Sequence, residues 1–230
     1  MTSLRRTATL ASILVPLALT GGCVSPYHWR GEEGAAHELV NKATLSLLTL
    51  GEHPGDRPLQ EALHGACAVF IFPIVTSASF VAGGAEGRGV LLMRDGPGDS
   101  WNGPAFYAMT EASVGIQAGF ARRDTVVVLH RCDALDDRVR ANAAVGVAAT
   151  IAIGDEGGAT SAMSKDMKAF SRVSGAQVGV ALDGVVLRPR QALADAFYGE
   201  HLEAADIFRP RSVDDASARE LRQTVLQATR

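Results

Sequence analysis

Cys67-Ala68-Val69-Phe70-Ile71-Phe72-Pro73 begins the stretch on which the fold turns; it continues through Ser79-Phe80-Val81-Ala82-Gly83 and Gly84-Ala85-Glu86-Gly87-Arg88 to Gly89-Val90-Leu91-Leu92-Met93-Arg94. The first segment is an unbroken apolar run closed by proline, which reads as a buried strand rather than an alternating one. The segments 79–83 and 89–94 flank a glycine-rich 84–88 and read as the two strands of a hairpin with that turn between them. Further on, Phe106 to Gly119, Thr125 to Arg131 and Val145 to Gly154 are extended stretches. Gln177 to Leu182 and Val185 to Leu187 surround Asp183-Gly184, a strong two-residue hairpin signal. Consecutive hairpins without regular helix alternation predict an α+β domain whose mainly antiparallel sheet is curved, barrel- or sandwich-like. Glycine makes up 24 of the 230 residues. The pairs Gly87 and Gly89, Gly115 and Gly119, and Gly175 and Gly179 each share a strand face, where they permit tight curvature.

Helices frame this sheet. Ala36, Leu39, Val40, Ala43, Leu47 and Leu50 fall on one helical stripe within 35–50, with Gly51 as a stop. Leu45 and Leu48 lie on the opposite side, so the helix is expected to be sandwiched in the fold rather than laid on lipid, since Lys42 is its one cation. A short helical turn is expected over 59–64, and a helix between Asp133 as N-cap and Asn142. Pro189 opens another that Gly199 closes. A last helix starts near Ser212, with Asp215 in its first turn and Ala218, Leu221, Val225 and Ala228 as its packing stripe.

The N-terminus is an address. Arg5 and Arg6 precede an apolar stretch from Ala8 to Leu19, too short for a comfortable membrane span, and the small residues Thr20, Gly21 and Gly22 lead to Cys23. This is the layout of a secretory signal peptide, and its end resembles a bacterial lipobox, although Thr20 stands where leucine is usual. The expectation is an exported lipoprotein with Cys23 as its acylated first residue. No aspartate follows Cys23, so the outer membrane, facing the periplasm, is the expected destination. The parts are then a signal peptide 1–22, a lipidated N-terminus and polar tether 23–34, a domain 35–208 and a C-terminal helix 209–230. Tyr27 and Trp29 in the tether are of the types that favour a membrane interface.

With 22 basic and 25 acidic residues the chain carries a net charge of −3. No broad positive field exists to hold nucleic acid, and the mature chain is more acidic still. There is no Gly-x-Ser-x-Gly elbow, phosphate loop, His-Glu-x-x-His or Cys-x-x-Cys, so no enzyme class announces itself and no cofactor is implied. His37, His53, His64, His130 and His201 have spacings unlike those of metal ligands. Cys67 and Cys132 are permitted to bridge in an exported chain, and two buried free thiols are as ordinary an outcome.

Several blocks resemble the SYLF-domain family of lipid-binding proteins. Phe72-Pro73, Phe80 to Gly84 and Gly87-Arg88-Gly89-Val90-Leu91 are similar to its opening motif, and Trp101-Asn102-Gly103-Pro104-Ala105-Phe106 to its Trp-Ser-x-Pro-x-Phe segment. Ser113-Val114-Gly115-x-Gln117-x-Gly119 resembles its Ser-x-Gly-x-Gln-x-Gly signature. Phe170-Ser171-Arg172-x-x-Gly175, Gly179-Val180-x-Leu182-x-Gly184 and Phe197-Tyr198-Gly199 resemble its late motifs. Gly154-Asp155-Glu156-Gly157 departs from the usual Gly-Pro-x-Gly. The resemblance implies binding to membrane phospholipid and, in fungal relatives, to actin, which a bacterial lipoprotein would not meet.

The leading expectation is thus a non-enzymatic phospholipid-binding module of a lipid-anchored envelope protein. Lys42, Arg57, Arg88, Arg122, Arg123 and Arg172 are the candidate headgroup cations, and Arg122-Arg123 are expected on a loop. The rivals are an envelope scaffold that binds another protein and an unadvertised envelope hydrolase; a serine or aspartate paired with a histidine in a cleft would favour the latter.

Overall fold

The computed structural model describes residues 26–51, 57–79, 82–96, 100–114, 119–147, 160–164, 167–174, 185–209 and 215–229. Among them are helices α1 (Pro26–Gly51), α2 (Arg57–His64), α3 (Asp133–Arg140), α4 (Gln191–Tyr198), α5 (Ala204–Ile207) and α6 (Ala216–Ala228). The strands are β1 (Ala68–Ser79), β2 (Ala82–Arg94), β3 (Trp101–Val114), β4 (Gly119–Leu129), β5 (Val145–Val147), β6 (Thr160–Ser164), β7 (Met167–Ser174) and β8 (Val185–Pro189). They form one sheet in the order β5-β8-β3-β2-β1-β4-β7-β6, every neighbouring pair antiparallel. The expected α+β domain with a curved antiparallel sheet is the fold observed. The signal segment, Cys23, Gly115, Gln117, the 154–157 turn and the Asp183-Gly184 hairpin lie outside the described residues, and so do the side chains of Tyr27, Trp29 and Arg57.

The sheet is rolled so that one face becomes an interior. Phe70 on β1 meets Tyr107 on β3 edge to face, with ring centroids 5.2 Å apart, although β2 runs between them. Glu111 on β3 reaches Arg123 on β4 across both β2 and β1. In a flat sheet β3 and β4 would lie about 14 Å apart, three strand spacings, so strong curvature is what joins them. The helices cover part of the outer face, α1 against β1 and β2 and α6 against β3. Ala218, Leu221 and Val225 of α6 belong to the same core cluster as Val40, Phe70 and Leu92.

Three expectations are corrected here. The glycine-rich 84–88 is not a turn but the body of β2, paired through Gly87↔Val75 and Gly84↔Ala78 on β1. Pro73 does not end β1. It falls where both flanking ladders shift register, between Ile71 and Ile74 against β2 and between Phe72 and Val75 against β4. At such a bulge its missing N–H removes no ladder bond. The polar segment taken for a tether is helical from Pro26 onward, since proline is pre-organised for a first helical turn and the stripe from Ala36 to Leu50 carries the helix.

Helix starts differ from the expected ones, since α6 begins at Ala216 with Asp215 before it rather than in its first turn, α3 has Cys132 rather than Asp133 at its N-cap, and Pro189 ends β8 before α4 begins at Gln191, whereas the end of α4 agrees. Gly199 closes α4 in the left-handed region at φ 71°. Asp215 sits one place before α6 as its N-cap and accepts from Ala218 N–H at 2.9 Å. Cys67 and Cys132 are joined by a disulfide, which resolves the alternative left open by their spacing.

Candidate functional site

The outer face of the β1–β2 hairpin is only half covered. From Ala68 to Phe72 and from Val90 to Met93 both faces are buried, whereas beyond Pro73 the outward residues Ile74, Glu86 and Arg88 are exposed. α1 passes beside them and leaves an open groove of about 440 Å³. Its α1 wall carries Ala35, Glu38, Leu39 and Lys42; its strand wall carries Ile74, Thr76, Glu86 and Arg88. Ile74 opposes Arg88 and Thr76 opposes Glu86 in the ladder, so these four side chains share one patch of sheet. Lys42 Nζ pairs with Glu38 Oε1 at 2.6 Å, one helical turn away, and this pair holds the Glu38 carboxyl below its usual range.

Three large hydrophobics among the described residues are exposed. Ile74 is 45% exposed in the groove wall, and Leu45 and Leu48 are 62% and 43% exposed on α1. Leu45 follows Lys42 by three positions and so continues the same side of the helix. The expectation that α1 is sandwiched is therefore corrected: its stripe from Ala36 to Leu50 is buried, and its opposite side meets solvent. The apolar periodicity was legible, but nothing in it says whether a second layer covers the far face.

The structure separates the six candidate cations. Lys42 and Arg88 line the groove together. Arg57 is the first residue of α2. Arg122 and Arg123 lie within β4, not on a loop, and alternate across it: Arg122 is exposed, whereas the side chain of Arg123 is 1% exposed and ion-paired with Glu111 in the rolled interior. No headgroup reaches Arg123 in this arrangement. Arg172 on β7 donates from Nη1 to the Thr49 carbonyl at 2.5 Å, a cation on one of the last, otherwise unmatched carbonyls of α1. It also stands opposite Asp124 in the β4–β7 ladder. Burial raises the Asp124 carboxyl above its ordinary pKa, and the Arg172 charge opposes that rise.

A serine, a histidine and an aspartate do meet, at the junction of α1 and α6. His37 Nδ1 lies 3.4 Å from Ser217 Oγ and 3.6 Å from Asp215 Oδ2, and Ser217 Oγ donates to Asp215 Oδ1 at 2.5 Å. Both partners address the same ring nitrogen. A relay needs them on opposite nitrogens, so that one proton is received while another is held. The trio instead caps α6. Burial raises the Asp215 pKa, but the hydrogen bonds from Ser217 and Ala218 and the nearby His37 outweigh it and leave the carboxyl below 3.8. The stability this contributes is present above pH 3.8 and is lost as pH falls through the lowered folded value. Asp215→Ala is expected to cost about 1 kcal/mol at pH 7, and the difference from wild type should narrow in thermal melts repeated below pH 3.

Two of the motif-like segments, 101–106 and 197–199, meet at one structural junction. Asn102 Nδ2 donates to Phe208 O at 3.0 Å, Arg222 Nη1 to Gly103 O at 3.1 Å, and Tyr198 OH to Pro104 O at 2.8 Å. Phe106 and Phe197 pack with centroids 5.3 Å apart, and the Arg94 guanidinium lies 5.2 Å from the Trp101 ring centre. These residues tie the start of β3 to α4, α5 and α6, which explains their spacing without any ligand.

A rolled antiparallel sheet, helices on its outer face and one flank left open beside the first of them define an α+β domain of a recognisable kind. Residues 110–228 match the Ysc84 family, described as "Las17-binding protein actin regulator", and the chain belongs to that family, which carries the SYLF domain its motifs resemble. No curated protein and no solved structure matches the chain. Most of the groove, from Ala35 to Arg88, precedes the matched segment, while Glu111, Arg123 and Arg172 fall within it.

Proposed function

We propose that this domain is a non-enzymatic phospholipid-binding module of an exported lipoprotein anchored through Cys23, and that it meets the bilayer with the open side of α1 and its groove. The observation that carries this reading is the exposure of Ile74 beside the cations Lys42 and Arg88 in the groove, with Leu45 and Leu48 exposed further along the same helix as Lys42. Exposed large apolar side chains beside cations suit the region between headgroups and acyl chains. Leu45 and Leu48 also lie on the helix that begins three residues after Cys23. Leu45 is nineteen residues along α1 from Pro26, about 29 Å at the helical rise, so a helix lying along the membrane would bring Leu45 to the same surface as its Pro26 end. The family description speaks of Las17 binding and actin regulation; behind an export signal, lipid is the partner that remains within reach.

The charge pattern sets the expected behaviour. Glu38 and Glu86 accompany Lys42 and Arg88 in the groove, so the local field is nearly neutral and insertion rather than attraction supplies most of the affinity. The domain from Val24 onward, without its acyl chains, should co-float with zwitterionic as well as anionic vesicles and lose little of that binding at high salt. Leu45→Ser with Leu48→Ser and Ile74→Ser should reduce co-flotation at least roughly tenfold, equivalent to burial of one or two aliphatic side chains, with an unchanged melting temperature. Absence of flotation from every vesicle would remove intrinsic lipid affinity and leave a tethered protein-binding scaffold as the better account.

A further inference from the structure

The disulfide stands at the opposite end of β1 from the glycine-rich hairpin. Cys67 is held from both sides: its N–H donates to Leu129 O and its carbonyl accepts from Arg94 N–H, each at 2.8 Å. Cys132 lies past the end of β4 at the N-cap of α3, where its side chain makes no capping hydrogen bond. Both cysteines are partly exposed. Both line one open groove of about 370 Å³, together with His64, Gly65, Arg94 and Gly96. A Cβ on Gly96 would find nothing within 4 Å, so that wall of the groove is open. Exchange requires a thiolate to approach a sulfur, and access is therefore the first control on whether a bridge is permanent or labile.

We propose that the Cys67–Cys132 bridge is a thiol–disulfide exchange site, opened in the folded protein by a dithiol reductant. The incoming thiolate bonds to Cys67 Sγ as the bond to Cys132 breaks, and the electron pair departs on Cys132 Sγ. The second thiolate of the reductant then attacks the mixed disulfide and releases Cys67. The reductant ends as a disulfide, the protein gains two electrons, and each cysteine sulfur takes up a proton according to its acidity. Cys132 is the better leaving sulfur because it sits at a helix N-terminus. Asp133 and Asp136 in the same turn limit that advantage, so access rather than an acidified thiol makes the site exchangeable.

The consequence is local. The bridge spans 65 residues and closes β1 to β4 into one covalent loop. Once it opens, the ladder bonds still fix Cys67, whereas α3 is retained by the burial of Leu135 and Val139 and by packing on α5. α3 is thus the element whose freedom depends on the redox state, whichever way the domain meets its membrane.

The test treats the purified protein with increasing dithiothreitol, quenches with a maleimide, weighs the products and records far-UV circular dichroism in parallel. Bridge opening should be linear in dithiothreitol over at least a roughly tenfold range, as for direct attack on an accessible sulfur, with the far-UV signal kept. A rate that levels off at the independently measured unfolding rate, or loss of the far-UV signal in step with opening, overturns the proposal. In a second arm, Cys67→Ser with Cys132→Ser should stay folded, with amide exchange over residues 133–140 faster by roughly tenfold or more and the central strands unchanged. Exchange there equal to that of the oxidised protein, or failure of the variant to fold, also counts against it.

Discussion

Arg123→Met is expected to lower the unfolding free energy by about 3–5 kcal/mol, because it strands the Glu111 carboxylate in a closed interior. Both side chains are 1% exposed, so no water replaces the lost partner. Arg123→Met combined with Glu111→Leu should recover most of the loss or exceed wild type, since a matched apolar pair avoids desolvating two charges. Urea unfolding of the wild type, both single variants and the double variant gives the cycle, and equal slopes against urea would show that the unfolded states remain comparable. A single-variant loss below about 1 kcal/mol would mean that the pair behaves as a solvated one. That result would make Arg123 reachable and restore it as a headgroup cation. The experiment thus separates a strut across the rolled sheet from a binding residue, which an Arg122→Ala and Arg123→Ala double variant in a flotation assay cannot do: loss of flotation there would report damage to the fold.

Arg123 also illustrates what the sequence conveys and where it stops. Two adjacent arginines before a strand read as a charged loop, because local sequence carries no sign of a carboxylate twelve positions upstream folding over to meet one of them. The alternation of β4 was present in the letters, but which face is interior depends on the roll of the whole sheet. The same limit governs Leu45 and Leu48. Helical spacing placed the buried stripe of α1 correctly, yet exposure of the far side depends on what else packs there. The closure at Gly199 was more legible, because it acts within its own turn, where neighbouring backbone decides the outcome, whereas Asp215 was expected inside the first turn of α6 and caps it instead. β7 was read only as a motif. Its run Lys168-Ala169-Phe170-Ser171-Arg172 mixes small, polar and charged residues, while Ala169, Phe170 and Ser171 are all buried, so neither alternation nor an apolar run marks it as a strand.

The motif blocks carried the family correctly for a reason that is mainly structural. Trp101 to Phe106 and Phe197-Tyr198-Gly199 are distant in sequence and meet through Tyr198 on Pro104 and Phe106 on Phe197. Their joint presence signals a junction that several elements must satisfy together, so they identify a fold more securely than a ligand. The groove beside α1 is different. Its exposed Ile74, and Leu45 and Leu48 on the solvent side of α1, are not demanded by packing, and surface that packing does not explain is where a binding function finds room.

Gly89→Ala is expected to be among the most damaging single-methyl additions to the described structure. A Cβ at that position would lie 2.3 Å from the Ile71 carbonyl oxygen and 2.4 Å from Cδ1 of Phe72. Neither neighbour is free to retreat, because Ile71 is paired in the central ladder and the Phe72 ring is fully buried. Relief requires the bulge at Pro73 to shift, and a loss of about 3 kcal/mol or more is expected, at the upper end for overpacking. Gly87→Ala, with the added carbon 2.9 Å from Val75 Cγ2 and 3.1 Å from Ile74 O, should lose about 1–3 kcal/mol by the same mechanism. Gly34→Ala in α1 meets nothing within 4 Å and should gain up to about 1 kcal/mol of helix propensity. Thermal melts of the three variants should therefore rank 34 above wild type, then 87, then 89. A turn spanning 84–88 would leave Gly89 on an ordinary strand and tolerant of a methyl group. The glycines serve instead to let β2 run close beneath Phe72 and Val75, so the sheet can roll tightly enough for Phe70 to touch Tyr107 and Arg123 to reach Glu111. Methyl groups at 87 and 89 would oppose that curvature at its source.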